Sequence, residues 1–231
     1  SGVTYFYVVR AEDSTTGGAG PNGGNEERNT KRLWTTFFGD PGSLGTWTDD
    51  GGDTAAYLSP DSLWQVTANE FQAGGRSYHS GTDIGEYPTG GLYPAGTCAS
   101  LTTPALLLGT GSSLSFYSRY KLEPDYDGVV MEASTDGGGT WAVLTPSGGY
   151  PGNLAQPGNA CCYDQGQPSF SGPAGASTAL SPWAQRTVSL SPTYDGKTVR
   201  IRWRLTSDGG VEYRGFYLDT IAITNVKLPV P

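Results

Sequence analysis

The 231-residue chain carries 35 Gly, 16 Pro, 14 Tyr and 6 Trp against one Met and one His, a turn-rich and aromatic-rich balance that suits many short strands and offers no convincing amphipathic helix. Its formal net charge of −8 argues against nucleic acid and against polyanions generally, because displacing phosphate counterions needs clustered Lys and Arg. No apolar run approaches the roughly 20 residues of a membrane-spanning helix and no charged-then-apolar leader opens the chain, so it reads as a mature or excised piece without membrane insertion.

The first element, Ser1 to Arg10, alternates Val3, Tyr5, Tyr7 and Val9 with Thr4, Phe6, Val8 and Arg10. Both faces are largely apolar and β-prone, so this strand needs cover on both sides. Tyr5, Tyr7, Val9 and Ala11 resemble the penultimate strand of fibronectin type III domains, and residues 1–12 are taken as an isolated strand of that kind. Residues 13–30 follow as a flexible linker, with Gly17, Gly18, Gly20, Pro21, Gly23 and Gly24 among small polar residues. Such a strand can fold back on its own body or add to another copy's sheet through Val3, Tyr5, Tyr7 and Val9, which would build a filament.

From residue 31 to 231 the chain alternates short β-like runs with turn clusters: Arg32 to Phe38, Leu63 to Ala68, Arg76 to Ser80, Thr102 to Leu108 and Ser113 to Leu122. Five more follow at Gly128 to Thr135, Thr140 to Thr145, Ala184 to Leu190, Thr198 to Thr206 and Gly215 to Thr224. In Thr198 to Thr206, Val199, Ile201, Trp203 and Leu205 share one face and Arg200, Arg202 and Arg204 the other, a half-buried strand with a wet, basic side. About ten such runs predict an all-β, jelly-roll-like antiparallel β-sandwich with long Gly/Pro-rich loops.

Gly148 to Pro182 dissolves into an irregular excursion containing Tyr150, Tyr163, Phe170 and the vicinal Cys161 and Cys162. Joining either of these to Cys98 closes a loop worth about 4 kcal/mol in chain entropy and implies an oxidising, extracellular setting. The third thiol is then buried or pairs with another chain. Trp47, Tyr87, Tyr93 and Trp183 lie in Gly- and Pro-rich segments where a sugar-stacking face could be displayed, although core packing is the commoner fate of such residues.

Ser134-Thr135-Asp136-Gly137-Gly138-Gly139-Thr140-Trp141 fits the Asp-box pattern Ser-x-Asp-x-Gly-x-Thr-Trp, in which the Asp binds turn amides and the Trp closes the hairpin. A single copy predicts a structural turn. No His-Glu-x-x-His or Gly-x-Ser-x-Gly motif is present, and His79 beside Ser77 and Ser80 reads as a satisfied surface residue. Glu123, Glu132 and Glu212 could serve glycoside hydrolysis, but no motif surrounds them. The chain is read as a non-enzyme.

Two stretches carry a broader resemblance. Phe116-Tyr117-Ser118-Arg119-Tyr120 through the Asp-box, and Arg202-Trp203-Arg204-Leu205 through Gly215-Phe216-Tyr217-Leu218-Asp219-Thr220-Ile221, resemble the jelly-roll accessory domains of secreted bacterial metallopeptidases of the immune-inhibitor-A type, and more distantly MAM domains. Such families often read Asp-Asp where this chain has Asp219-Thr220. The resemblance implies a structural Ca²⁺, and Glu123, Asp127, Asp208 and Asp219, at strand ends or beside Gly, are the candidate ligands; as ordinary turn and edge carboxylates they would need no ion. The sequence thus predicts a non-catalytic extracellular or cell-surface module that binds polysaccharide or protein surfaces, with a filament subunit and an unrecognised glycosidase as the other readings.

Overall fold

The computed structural model describes residues 4–7, 33–36, 44–49, 59–60, 63–81, 91–156, 162–173 and 179–227. Among these described residues fifteen strands run in chain order: β1 (Thr4–Tyr7), β2 (Leu33–Thr36), β3 (Gly45–Asp49), β4 (Ser59–Pro60), β5 (Trp64–Thr67), β6 (Ser77–Ser80), β7 (Cys98–Thr102) and β8 (Leu106–Lys121). They continue with β9 (Gly128–Ser134), β10 (Ala142–Leu144), β11 (Gly152–Asn153), β12 (Pro168–Ser169), β13 (Ala184–Ser189), β14 (Thr198–Thr206) and β15 (Gly215–Lys227). No helix long and apolar enough to cross a membrane occurs among the described residues.

Eleven of these strands share one antiparallel hydrogen-bond network that forms a β-sandwich of jelly-roll type. One sheet runs β4-β7-β14-β9-β10. The other runs β13-β8-β15-β6-β5, with β3 also pairing β15. The long β8 links them, since Leu106 and Leu107 pair with the start of β14 while the rest of β8 lies in the second sheet. Gly111 (φ 77°) gives that strand a backbone turn unfavourable to residues with a Cβ.

The alternation read along β14 sets the packing. Val199, Ile201, Trp203 and Leu205 are buried and point between the sheets. Phe116 of β8 meets Trp203 edge-on at 5.5 Å, and Phe216 of β15 stacks on Tyr120 at 5.4 Å. Trp64 sends its indole N–H to the Ala99 carbonyl of the opposite sheet at 3.2 Å. Phe170, read as part of the irregular excursion, instead lies in this core, hydrogen-bonded by its backbone to Val129 and flanked by Phe116, Tyr120, Tyr150 and Phe216. An aromatic in a Gly/Pro-rich stretch fills the gap between two twisted sheets because burying its ring surface outweighs the irregular backbone around it.

β1 pairs with β2 in a two-stranded ribbon, Thr4 to Thr36 through Tyr7 to Leu33. The run beginning at Arg32, read as part of the sandwich, is therefore a partner for the N-terminal strand. Val3, Val9 and the residue 13–30 linker lie outside the described residues, and Tyr5 and Tyr7 are placed here only as backbone partners of Thr35 and Leu33.

Candidate functional site

Three carboxylates meet at one end of the sandwich, where the β8–β9 and β14–β15 connections come together. Ligand oxygens of Glu123, Asp127 and Asp208 lie within 4.8 Å of one another. Backbone bonds build the corner: the Asp127 amide donates to the Glu123 carbonyl at 3.0 Å, and the Gly96 amide to the Asp208 carbonyl at 2.5 Å. Asp127 accepts the Tyr93 hydroxyl at 2.6 Å and the Asp208 amide at 2.8 Å. Glu123 accepts the Val211 amide at 3.3 Å, and Asp208 accepts the Gly210 amide at 2.6 Å.

Burial dominates the electrostatics here. Asp127 is pushed up to about 7, first by desolvation and then by the neighbouring Asp208 and Glu123 charges, against the lowering effect of its two hydrogen bonds. Glu123 is raised by desolvation and by Asp208. Burial and the adjoining Asp127 likewise raise the Tyr93 hydroxyl. Gly210 closes the cradle, since a Cβ there would stand 2.9 Å from Asp208 Oδ1 and 3.4 Å from Glu123 Oε2. Three carboxylates converging at a loop corner could hold a metal ion.

Asp219 does not join them. Its carboxylate accepts the amides of Gln72 at 2.6 Å, Ala73 at 3.0 Å and Thr220 at 2.5 Å, pinning the β5–β6 loop to β15. Burial raises its pKa and these amides oppose the rise. Sequence reasoning grouped it with the others because all four sit at strand ends or beside Gly; register places it in the second sheet, opposite Tyr117.

The aromatics expected to display a sugar face divide. Trp47 (2% exposed) and Tyr93 (0%) are core residues, because their strands and loops turn them between elements. Tyr87 lies outside the described residues. Trp183 remains half-buried at the surface, with the Arg119 guanidinium 5.9 Å from its ring centroid. Glu70 grips Arg119 and Arg214, each at 2.8 Å, and all three side chains retain 21 to 23% exposure. Trp183, Arg119, Glu70 and Arg214 thus make an aromatic and charged array on the outer face of the second sheet.

His79 is buried and not a surface residue: it stacks on Tyr217 at 4.2 Å, and its Nε2 lies 2.7 Å from the Arg214 carbonyl. Of the other carboxylates weighed for hydrolysis, Glu132 pairs with Arg202 at 2.6 Å and Glu212 accepts the Ala95 amide at 3.1 Å.

The Asp-box is a structural turn. Asp136 accepts the Ser134 hydroxyl at 2.7 Å, the Thr140 amide at 2.9 Å and the Thr140 hydroxyl at 2.7 Å, and these bonds hold its carboxyl well below the usual range. Gly137 (φ 79°) and Gly138 (φ 110°) take the left-handed backbone the turn requires. The Trp141 indole N–H donates to the Gly138 carbonyl at 3.0 Å, and its ring lies 3.9 Å from the Arg202 guanidinium.

Cys98 at the head of β7 bonds to Cys162, with Cα atoms 6.1 Å apart; Cys161 lies outside the described residues. The bond ties the long loop to the first sheet. From that loop Tyr163 reaches Arg204, 5.6 Å from ring centroid to guanidinium. The arginine side of β14, expected to be wet, is thereby half-covered from two directions.

No protein-family model matches the chain, and a search of curated proteins finds no match. Among solved structures, it is similar to the K1 cleaved adhesin domain of Lys-gingipain from Porphyromonas gingivalis W83, at 16% identity and TM-score 0.45 over 78% of this chain and 97% of that one. It is similar to the CBM22-1 xylan-binding domain of Paenibacillus barcinonensis Xyn10C at 11% identity and TM-score 0.40, covering 79% and 95%. A glycoside hydrolase domain structure, Endo-D from Streptococcus pneumoniae R6, matches at 17% identity and TM-score 0.39, covering 79% of this chain and 22% of that one. These likenesses are partial, and the fold assignment rests on the strand pairings above.

Proposed function

We propose that the chain is a non-catalytic extracellular module that binds polysaccharide on the outer face of its second sheet, with a Ca²⁺ held by Glu123, Asp127 and Asp208 fixing the loop corner. The array of Trp183, Arg119, Glu70 and Arg214 carries this reading. A sugar ring stacks its C–H face on an indole, while a guanidinium and a carboxylate beside it serve hydroxyls as donor and acceptor. Glu70 holds both arginines in place before any ligand arrives, which lowers the ordering cost of binding. The Cys98–Cys162 bond supports an oxidising, extracellular setting. The engagement of Glu132 with Arg202 and of Glu212 with a backbone amide supports a non-catalytic role.

Titration of the folded chain with soluble oligosaccharides by calorimetry tests the reading. Trp183→Ala should weaken binding at least tenfold while leaving the melting temperature within a few degrees. Equal affinity in the wild type and the variant would contradict it.

A second reading has its own observation. β1 is hydrogen-bonded to β2 alone among the described strands, and a two-stranded ribbon is the kind of element that a further strand can join at an edge of β1. A structural subunit assembled by N-terminal strand addition would use that edge. Deletion of Ser1 to Ala11 should then abolish concentration-dependent assembly in sedimentation and leave a folded monomer; a full-length chain that stays monomeric at high concentration counts against it.

A further inference from the structure

The charged array on the second sheet has a far end, and an aromatic ring lies in solvent there. Beside Trp183 the Arg119 guanidinium donates to the Ser181 carbonyl at 3.1 Å and reaches Glu70 at 2.8 Å, and Glu70 continues to Arg214 at 2.8 Å. Because β15 lies between β8 and β6, the array runs across the sheet from the head of β13 to the β5–β6 loop. Phe71, the chain neighbour of Glu70, is 46% exposed. It is the one aromatic among the large apolar side chains exposed in the described residues, the others being Leu44, Val143 and Val211. Every residue from Phe71 to Arg76 is exposed, so this end of the array is open to solvent.

The backbone on both sides of Phe71 is fixed. Before it, the Glu70 carbonyl accepts the Ser77 hydroxyl at 2.6 Å, and the Glu70 carboxylate is held by its two arginines. After it, the amides of Gln72 and Ala73 donate to Asp219 at 2.6 and 3.0 Å, and the Thr220 hydroxyl donates to the Gln72 side chain at 3.0 Å. Asp219 is fully buried, a position unfavourable to a carboxylate without hydrogen bonds, and two of its bonds go to the amides that follow Phe71. The fold therefore holds the backbone beneath an apolar ring that it leaves in water.

We propose that Phe71 is a second stacking platform of the glycan site, at the opposite end of the array from Trp183, and that the site takes an internal stretch of an extended neutral polysaccharide. The inference rests on the reading of the chain as a polysaccharide-binding module and deepens it. Each ring takes a different sugar of one chain, while Arg119 and Glu70 between them serve the intervening hydroxyls as donor and acceptor. Glu70 occupies guanidinium donors that a uronate would claim, and the formal charge of −8 disfavours the approach of an acidic chain. The pinned loop lowers the ordering cost of binding at Phe71.

Calorimetric titration with cello-, xylo-, laminari- and galactohexaose, with the disaccharide of each linkage, and with hexagalacturonate as the acidic arm tests the platform. A neutral hexaose should bind at one equivalent, at least tenfold tighter than its disaccharide. Phe71→Ala should weaken the hexaose at least tenfold with an unchanged melting curve and circular dichroism, and Phe71→Tyr should keep the wild-type affinity within about threefold. Phe71→Leu keeps apolar bulk and removes the ring; it should bind as weakly as Phe71→Ala, and it decides the matter if Phe71→Ala disturbs the loop. Folded Phe71→Ala and Phe71→Leu chains that bind the hexaose at wild-type affinity, while Trp183→Ala loses it, overturn the second platform and leave the module reading intact. Equal affinity for disaccharide and hexaose overturns the extended-chain assignment, and preference for hexagalacturonate overturns the neutral class. A wild-type chain that binds none of these sugars overturns both this proposal and the module reading.

Discussion

At the scale of single residues, the carboxylate corner makes the sharpest demand on pH. Asp127 titrates at about 7 in the fold against an ordinary value of 3.8, so between those values the folded chain holds a proton that the unfolded chain has released. Stability contributed by this group is therefore full below about 4 and declines as pH rises toward 7. In metal-free buffer, the melting temperature of the wild type relative to Asp127→Asn should fall across that window. A bound cation takes the place of the proton, so added Ca²⁺ should flatten the difference; a flat difference without metal would refute the burial argument. The same corner predicts that Ca²⁺ at a hundred times its dissociation constant adds about 2.7 kcal/mol, measured by melting in chelator and after Ca²⁺ is restored. Gly210→Ala should reduce that increment, because its Cβ would crowd Asp208 Oδ1 at 2.9 Å.

The three acidic residues of the corner, Glu123, Asp127 and Asp208, were legible from sequence, as carboxylates beside turns. Tyr93 was not: it was read as a displayed aromatic, and its use as a buried donor to Asp127 depends on Gly96, Ser207 and Val211 converging from distant stretches of chain. Asp219 failed for the converse reason. Composition marks a carboxylate near a strand end, but only register says which sheet and which face receives it.

Among the elements, long strands with regular alternation announced themselves. Thr198–Thr206 was read with the bounds it has, because three arginines alternate with four apolar residues over nine positions. Gly45–Asp49 and Cys98–Thr102 were missed, since Gly, Thr, Ser and Asp give these segments the composition of turns while β15 and β14 pair them into strands. The runs Thr102 to Leu108 and Ser113 to Leu122 proved largely one strand, β8, continuing through Gly109 and Gly111. The loop carrying Cys162 is stabilised by its bond to Cys98 across 64 residues, worth about 4 kcal/mol in the chain-entropy model. The Cys98→Ser/Cys162→Ser variant should lose stability of that order in urea unfolding, and proteases should cut between residues 150 and 170 first. An unchanged midpoint and cleavage pattern would show that Phe170 and β11–β12 hold the loop without the bond.

At the scale of the whole molecule, the sandwich sets Trp183 against Arg119 on its second sheet and Trp141 against Arg202 on its first. The all-β class was open to sequence because Gly, Pro, Thr and aromatic residues leave little else to build. The faces were not, because each is assembled from strands and loops far apart in the chain. The claim that this molecule binds polysaccharide without cleaving it is tested most directly by electrophoresis through native gels containing soluble neutral polysaccharide, with reducing ends assayed in the same gels. The account predicts retardation that grows with polysaccharide concentration and no new reducing ends. Unchanged mobility in every gel, or retardation accompanied by steady release of reducing ends, would contradict it.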